Sequence, residues 1–318
     1  MRERRGKEFY VLAIFFTVFV IFLYGPVSAI LILSFQGPNG GLTFPMNGVS
    51  IHWFFALFGE QLVGDFKAAF LRSLQLGLVV MVVTIFVSVL TGLAFRKKFF
   101  GSTFLFYTTV SSLIVPSILI SLGIGLLYNL MEWEAAWYSS GMGAHLTWTL
   151  PFGFLIMIAV FNRFDRSYEE AAKDLGASNW QTIRYVVLPI IAPSLIGVAL
   201  FGFTLSYDEF ARTLMTSGVK NTLPLEIFGM TTNVTTPTLY ALGTLTTIFS
   251  LVVILTAIFL SSCTSTKTEP TQPTSDGTCY LTVIARGEYD ELSVSSFSTS
   301  LISKFHKKYC LNNYWIYT

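Results

Sequence analysis

Long apolar runs separated by short polar intervals set the pattern of this chain. The runs read at Phe9–Phe35, Ala68–Phe95, Thr103–Leu130, Ala144–Phe161, Ile190–Leu214 and Leu239–Leu260. Each is near the ~20 residues a helix needs to cross the hydrocarbon of a bilayer. The pattern predicts an all-α, polytopic membrane protein with six transmembrane helices. The first run follows a basic start, Met1–Lys7, and Val27-Ser28-Ala29 resembles a leader cleavage site. The apolar run continues past that point, so it reads as a span rather than a leader core, with a kink expected at Gly25-Pro26. In the loop Gln36–Lys67, the cluster His52-Trp53-Phe54-Phe55 suits a short helix at the lipid interface.

The longest polar interval inside the apolar region, residues 162–189, reads NRFDRSYEEAAKDLGASNWQTIRYVVLP. Ser167 with Glu170 fits a capping box, and a helix through Glu169, Glu170, Ala171, Ala172 and Leu175 should follow. Gly176 stands where a helix ends in a left-handed residue. Ser178 with Gln181 repeats the box and opens a second helix through Trp180, Ile183 and Val186, which Pro189 and Pro193 should end or bend. The interval therefore predicts a stiff, bent pair of helices on a loop too polar for lipid.

Composition agrees with a membrane protein. The chain is 53% hydrophobic and 12% charged, with mean hydropathy +0.63, against ~25% charged in a typical soluble domain. A net charge of +2 and the lack of a basic stripe argue against nucleic acid as a partner. The three cysteines all lie in the last fifth of the chain without metal spacing, and the three histidines are scattered. No metal site and no cofactor is called for. Loop charge then sets the orientation. Arg2, Arg4, Arg5 and Lys7, then Arg96, Lys97 and Lys98, then Arg163, Arg166, Lys173 and Arg184 share one side under six-span topology. The positive-inside rule places that side, with both termini, in the cytoplasm. From Ser261 the sequence turns Ser/Thr/Pro-rich. Residues 1–260 read as the membrane domain, and 261–318 as a tail, disordered at its start with a brief strand-like run at Thr278–Arg286, to which no function is assigned.

No G-x-x-x-x-G-K-[ST] loop occurs, nor any metalloprotease or hydrolase signature. The chain reads as a non-enzyme without catalytic residues. Ionisable groups near lipid are functional candidates, and Tyr207, Asp208 and Glu209 with Arg212 form the compact set. Asp208 or Glu209 lines a path that favours a cation, or Asp208 pairs with Arg212 at i,i+4 as a structural clamp, or all three lie in water at the level of the headgroups.

The polar loop carries a resemblance. Glu170-Ala171-Ala172, three residues, Gly176, nine residues, then Val186-Val187-Leu188-Pro189 resembles the EAA loop of ABC-importer permeases, with Val186 in place of the commoner Ile. The run from Ser206 to Met230, with Asp208-Glu209 and Leu223-Pro224-Leu225, is similar to the spermidine/putrescine permease component of type C. The likeness spans about Phe9 to Leu260 and is absent from the tail.

The resemblance implies the type I importer permease fold in the bacterial inner membrane. It implies ATPase subunits that hydrolyse ATP and dock at Glu170, Ala171, Ala172, Gly176, Leu188 and Pro189. It also implies a second, paralogous permease subunit and a periplasmic binding protein that delivers the solute. The acidic pair leans towards a polyamine; iron, opine and sulfate permeases share the loop. A secondary transporter or channel is the alternative outside the family, and it would want coupling-ion residues at mid-membrane.

Overall fold

The structure is a computed structural model and describes residues 6–59, 65–233 and 237–264. The expected tail, including its strand-like run, lies outside the described residues. Among the described residues the chain is helical, with one isolated antiparallel bridge between Gln36 and Val49. The helices are α1 (Lys7–Leu33), α2 (His52–Ala56), α3 (Phe66–Phe95), α4 (Ser102–Ser111), α5 (Ser117–Leu130), α6 (Met142–Arg163), α7 (Ser167–Asp174), α8 (Asn179–Thr182), α9 (Leu188–Tyr207), α10 (Leu223–Asn233) and α11 (Thr238–Thr264).

Among the described residues, five helical stretches are long and apolar enough to cross a membrane: α1, α3, α6 with its preceding turn, α8 through α9, and α11. The expected third span is divided. Pro116 lacks an amide hydrogen and its ring collides with the carbonyl four residues back, so the helix breaks after Ser111 and α5 starts at Ser117. The expected fifth span ends at Tyr207, not Leu214, and residues 208–222 form turns. Pro26, by contrast, is contained within α1.

At the centre α3, α6 and α9 pack against one another. Met157, Phe161, Val187, Ile191 and Val198 form one buried cluster, and Phe203, Tyr207, Leu223, Met230 and Leu242 belong to a second. Lipid is as apolar as a leucine side chain, so helix association here depends on close packing and interhelical hydrogen bonds. The Thr84 hydroxyl bonds the Thr149 hydroxyl at 2.9 Å, and Gly153 faces Ser88 and Thr84 with no room for a side chain. A Cβ at Gly153 would lie on Ser88 Oγ and 2.9 Å from Thr84 Cγ2. Gly153→Ala is therefore expected to cost about 1–3 kcal/mol of stability, read as a lower thermal midpoint in detergent. Adding Ser88→Ala should recover part of the loss, and additive losses would refute the contact. Among the small residues of these helices, Gly202 lies against α3 and Ser121 and Gly125 against the turn after α9, whereas Gly123 and Gly197 face open space.

The ends of the bundle are distinct. Arg96 after α3 reaches Glu169 in the polar loop, so α3 and α6 both end, and α9 begins, at the loop side. Leu239 and Leu245 of α11 pack on the far cluster, and Ile30 of α1 lies 3.4 Å from a Cβ at Gly243. The start of α1 and the end of α11 thus return to the side of the loop.

Candidate functional site

Two sites stand at opposite ends of α6 and α9. Arg163 and His145 are 18 residues apart on α6, roughly 27 Å at 1.5 Å per residue.

At the first end, α7 closes with the left-handed turn the sequence predicts. Gly176 has φ +87°, its amide donates to Lys173 O at 2.9 Å, and the Ala177 amide donates to Ala172 O at 3.0 Å. These are the two bonds of a Schellman motif. The start of α7 differs from expectation. Ser167 and Glu170 make no capping box; instead Asp165 accepts from the Ser167 amide at 2.9 Å and its hydroxyl at 2.7 Å. Those two bonds hold the exposed Asp165 carboxyl below its ordinary range. Two residues before Ser167, an aspartate captures the hydroxyl locally. At α8 the expected box is present: the Ser178 amide donates to Gln181 Oε1 at 2.8 Å, and the Gln181 amide donates back to Ser178 Oγ at 3.4 Å.

Pro189 does not end the second helix. The five residues Ile183–Val187 form a π-helical turn, with the Leu188 amide donating to Ile183 O, and α9 continues with the proline in its first turn. The extra residue absorbs the bond that proline cannot make. The loop's second half is therefore the start of a span, and Val187 and Leu188 pack into the buried cluster at its root. On the outside of the loop Tyr168, Leu175, Trp180 and Tyr185 are exposed, Trp180 by 66%. Glu170 is exposed, Ala171 and Ala172 are half-buried, and Pro189 is exposed.

At the second end the two neighbouring acids have different fates. Because α9 stops at Tyr207, Asp208 and Arg212 are not on one helix, and the expected clamp does not form. Arg212 pairs with Glu209 instead: Glu209 Oε1 accepts the Arg212 amide at 3.0 Å and Oε2 lies 3.4 Å from Nη1. The Arg212 side chain is fully buried, donates to Ser117 Oγ at 2.8 Å and lies 4.4 Å over the Trp148 ring. The Ser121 hydroxyl donates to Arg212 O, and His145 bridges Ser206 and Thr213 at 2.8 and 2.9 Å. Thr213 Oγ1 donates to Glu209 O, so it accepts from His145 Nε2, and His145 Nδ1 accepts from Ser206. These bonds tie α5, α6 and the turn after α9 together.

Asp208 has no such partner. It caps α9 and lies on the rim of a pocket of about 360 Å³, with Tyr207, Phe210, Leu223, Ile227, Phe228 and Thr246 among its walls. The Tyr207 hydroxyl is buried away from that open space and has no hydrogen-bond partner among the described residues. Glu209 does not line it.

Residues 84–264 match the family described as binding-protein-dependent transport system inner membrane component. The chain belongs to this family. The permease is 29% identical over 254 residues to the spermidine/putrescine transport system permease protein PotC of Haemophilus influenzae, covering 78% of this chain and 95% of that one. It is 27% identical over 246 residues to PotC of Escherichia coli K12, with 76% and 90% covered. The putrescine transport system permease protein PotI of Escherichia coli K12 is 28% identical over 236 residues, with 70% and 81% covered. In fold, the permease is similar to a chain of a bacterial ABC transporter involved in import of the acidic polysaccharide alginate, with TM-score 0.59, 14% identity, and 81% and 96% covered.

Several residues of this permease carry structure that sequence reasoning missed. Arg96 is legible only as loop charge, yet its guanidinium lies over the Phe161 and Phe164 rings at 5.3 and 5.4 Å and bonds Glu169 at 2.5 Å. His145 reads as an isolated histidine. The signal for each is a polar side chain on an apolar run, and its partner comes from a distant part of the sequence.

Proposed function

We propose that this permease forms the path for a polyamine in an ATP-driven importer. ATP is hydrolysed on separate subunits that dock at the loop 162–189. The observation that carries the cargo reading is the pocket at Asp208: one carboxylate that pairs with no cation among the described residues, with aromatic walls from Tyr207, Phe210 and Phe228. Such a site favours an alkylammonium, whose charge meets the carboxylate and whose methylenes lie on the rings. The names of the similar permeases, spermidine/putrescine and putrescine transport proteins, lend weight to the same cargo. Glu209, neutralised by Arg212, serves to hold the turn.

The exposed Tyr168, Leu175, Trp180 and Tyr185 on a charged loop suit a protein partner. Glu170, Ala171, Ala172 and Gly176 are the proposed contact, and Leu188 and Pro189 join it to α9. Loop charge supports a cytoplasmic position for this end and for both termini. A second, paralogous permease subunit and a periplasmic binding protein complete the proposed assembly. Residues 1–260 are proposed as the membrane domain, and no function is assigned to the tail to 318.

Asp208→Asn tests the cargo reading. Loss of a charge-assisted bond of about 1.5–3 kcal/mol should weaken uptake of spermidine or putrescine roughly 10–100-fold, at equal expression and with the ATPase still co-purifying. Undiminished polyamine uptake would refute it.

A further inference from the structure

We infer that α3 is a push-rod joining the docking loop to the wall of the pocket, with a polar joint at each end. The inference rests on the reading of residues 162–189 as the ATPase dock. The joint at the loop end is the Arg96–Glu169 pair. Its side chains are only 13% and 16% exposed, the guanidinium lies over the rings of Phe161 and Phe164, and Arg166 Nη2 donates to Arg96 O at 3.0 Å. The joint at the pocket end has two bonds. Arg72 Nε donates to Asn221 O at 2.6 Å, and the Leu223 amide donates to Ser73 Oγ at 2.8 Å. Leu223 is itself a wall of the pocket. α3 is an unbroken helix of 30 residues without an internal proline, and Arg72 and Arg96, 24 positions apart, stand roughly 36 Å from one another along it.

The loop also continues into α6 before it and α9 after it, and Val187 and Leu188 at its root pack in one cluster with Ile85, Val89 and Leu93 of α3. A displacement of α7 reaches α3 through Glu169 and Arg96, and α3 delivers it to Asn221 and Leu223 beside Asp208. Glu169 acts through Arg96 and touches no solute, so both are positioning residues. The exposed neighbour Glu170 is left for the partner. A rod predicts a particular energetic signature: once one joint is open, opening the other adds little.

The test uses the whole transporter, with its ATPase subunits and periplasmic protein, in proteoliposomes. The variants are Arg96→Gln, Glu169→Gln, Arg72→Gln, the double variant Arg96→Gln/Arg72→Gln and the charge swap Arg96→Glu/Glu169→Arg. Solute imported per ATP hydrolysed is measured, with bound ATPase quantified alongside. Each single variant should keep its ATPase and lose roughly tenfold in solute per ATP, between the effects of an exposed and a buried pair. The double variant should fall no further than the worse single one, and the swap should regain part of the yield.

A further readout covers variants that insert poorly. In a background with Cys263, Cys279 and Cys310 replaced by serine, Arg96→Cys/Glu169→Cys joined by a short bis-methanethiosulfonate, each thiolate displacing one sulfinate, should transport, and lose coupling when a reductant cleaves the two disulfides. Normal solute per ATP in the single variants with ATPase bound, or equal coupling before and after cleavage, overturns the rod. A wild-type chain that binds no ATPase overturns the docking reading itself.

Discussion

Gly176→Val is expected to abolish most solute uptake while leaving the protein inserted and the far-end pocket intact. The residue holds φ +87° and closes α7 with two backbone bonds. Nothing lies within 4 Å of a Cβ built there, so the penalty comes from the backbone and not from a clash. A β-branched residue in that region costs about 1–3 kcal/mol. Relaxing the turn would swing α7 relative to α8 and open both Schellman bonds. A shift of ~2 kcal/mol moves the folded loop's population roughly 30-fold, which should appear as low uptake and weak co-purification of the ATPase. Gly176→Asp should behave similarly but more mildly, since aspartate tolerates the left-handed region better. Uptake at the wild-type rate, with equal protein in the membrane, would remove the claim that this turn sets the shape of the dock.

Arg212→Met is expected to be the most destabilising single change at the other end. Methionine can keep contact with Trp148 through its thioether, so the substitution chiefly removes charge. Glu209, with a side chain only 12% exposed, would lose its cation. Breaking a buried pair from one side costs about 3–5 kcal/mol, and Ser117 loses its donor as well. The thermal midpoint in detergent should fall sharply. Removing both charges, as Arg212→Met/Glu209→Gln, should restore much of it because no uncompensated carboxylate remains. A single variant as stable as the wild type, or a double variant worse than the single, would show that the pair does not hold this turn.

Both experiments probe positions where neighbouring residues of one type take opposite roles. In the loop, Glu169 turns inward to Arg96 while Glu170 stays exposed. At the end of α9, Glu209 turns to Arg212 while Asp208 faces the pocket. Adjacent carboxylates have the same local propensity, and no spacing rule separates them. The decision belongs to the residues opposite, 73 positions away for Arg96 and 95 for the Ser117 that receives Arg212.

Local sequence sufficed for the spans of α1, α3, α6 and α11, for the polar loop, and for the left-handed turn at Gly176 and the cap at Ser178. Each of these is a local matter: a run of apolar residues has one inexpensive place beside lipid, and a helix end has few residues able to satisfy its free backbone groups. The tertiary structure decided how three prolines were accommodated, with a break at Pro116, a π-helical turn before Pro189 and containment of Pro26 within α1. It also decided which acid met which arginine, and it made α3 the link between the two sites. Those outcomes depend on what packs across the bundle, where a buried charge or an unpaired carbonyl must find a partner from whatever helix the fold brings alongside.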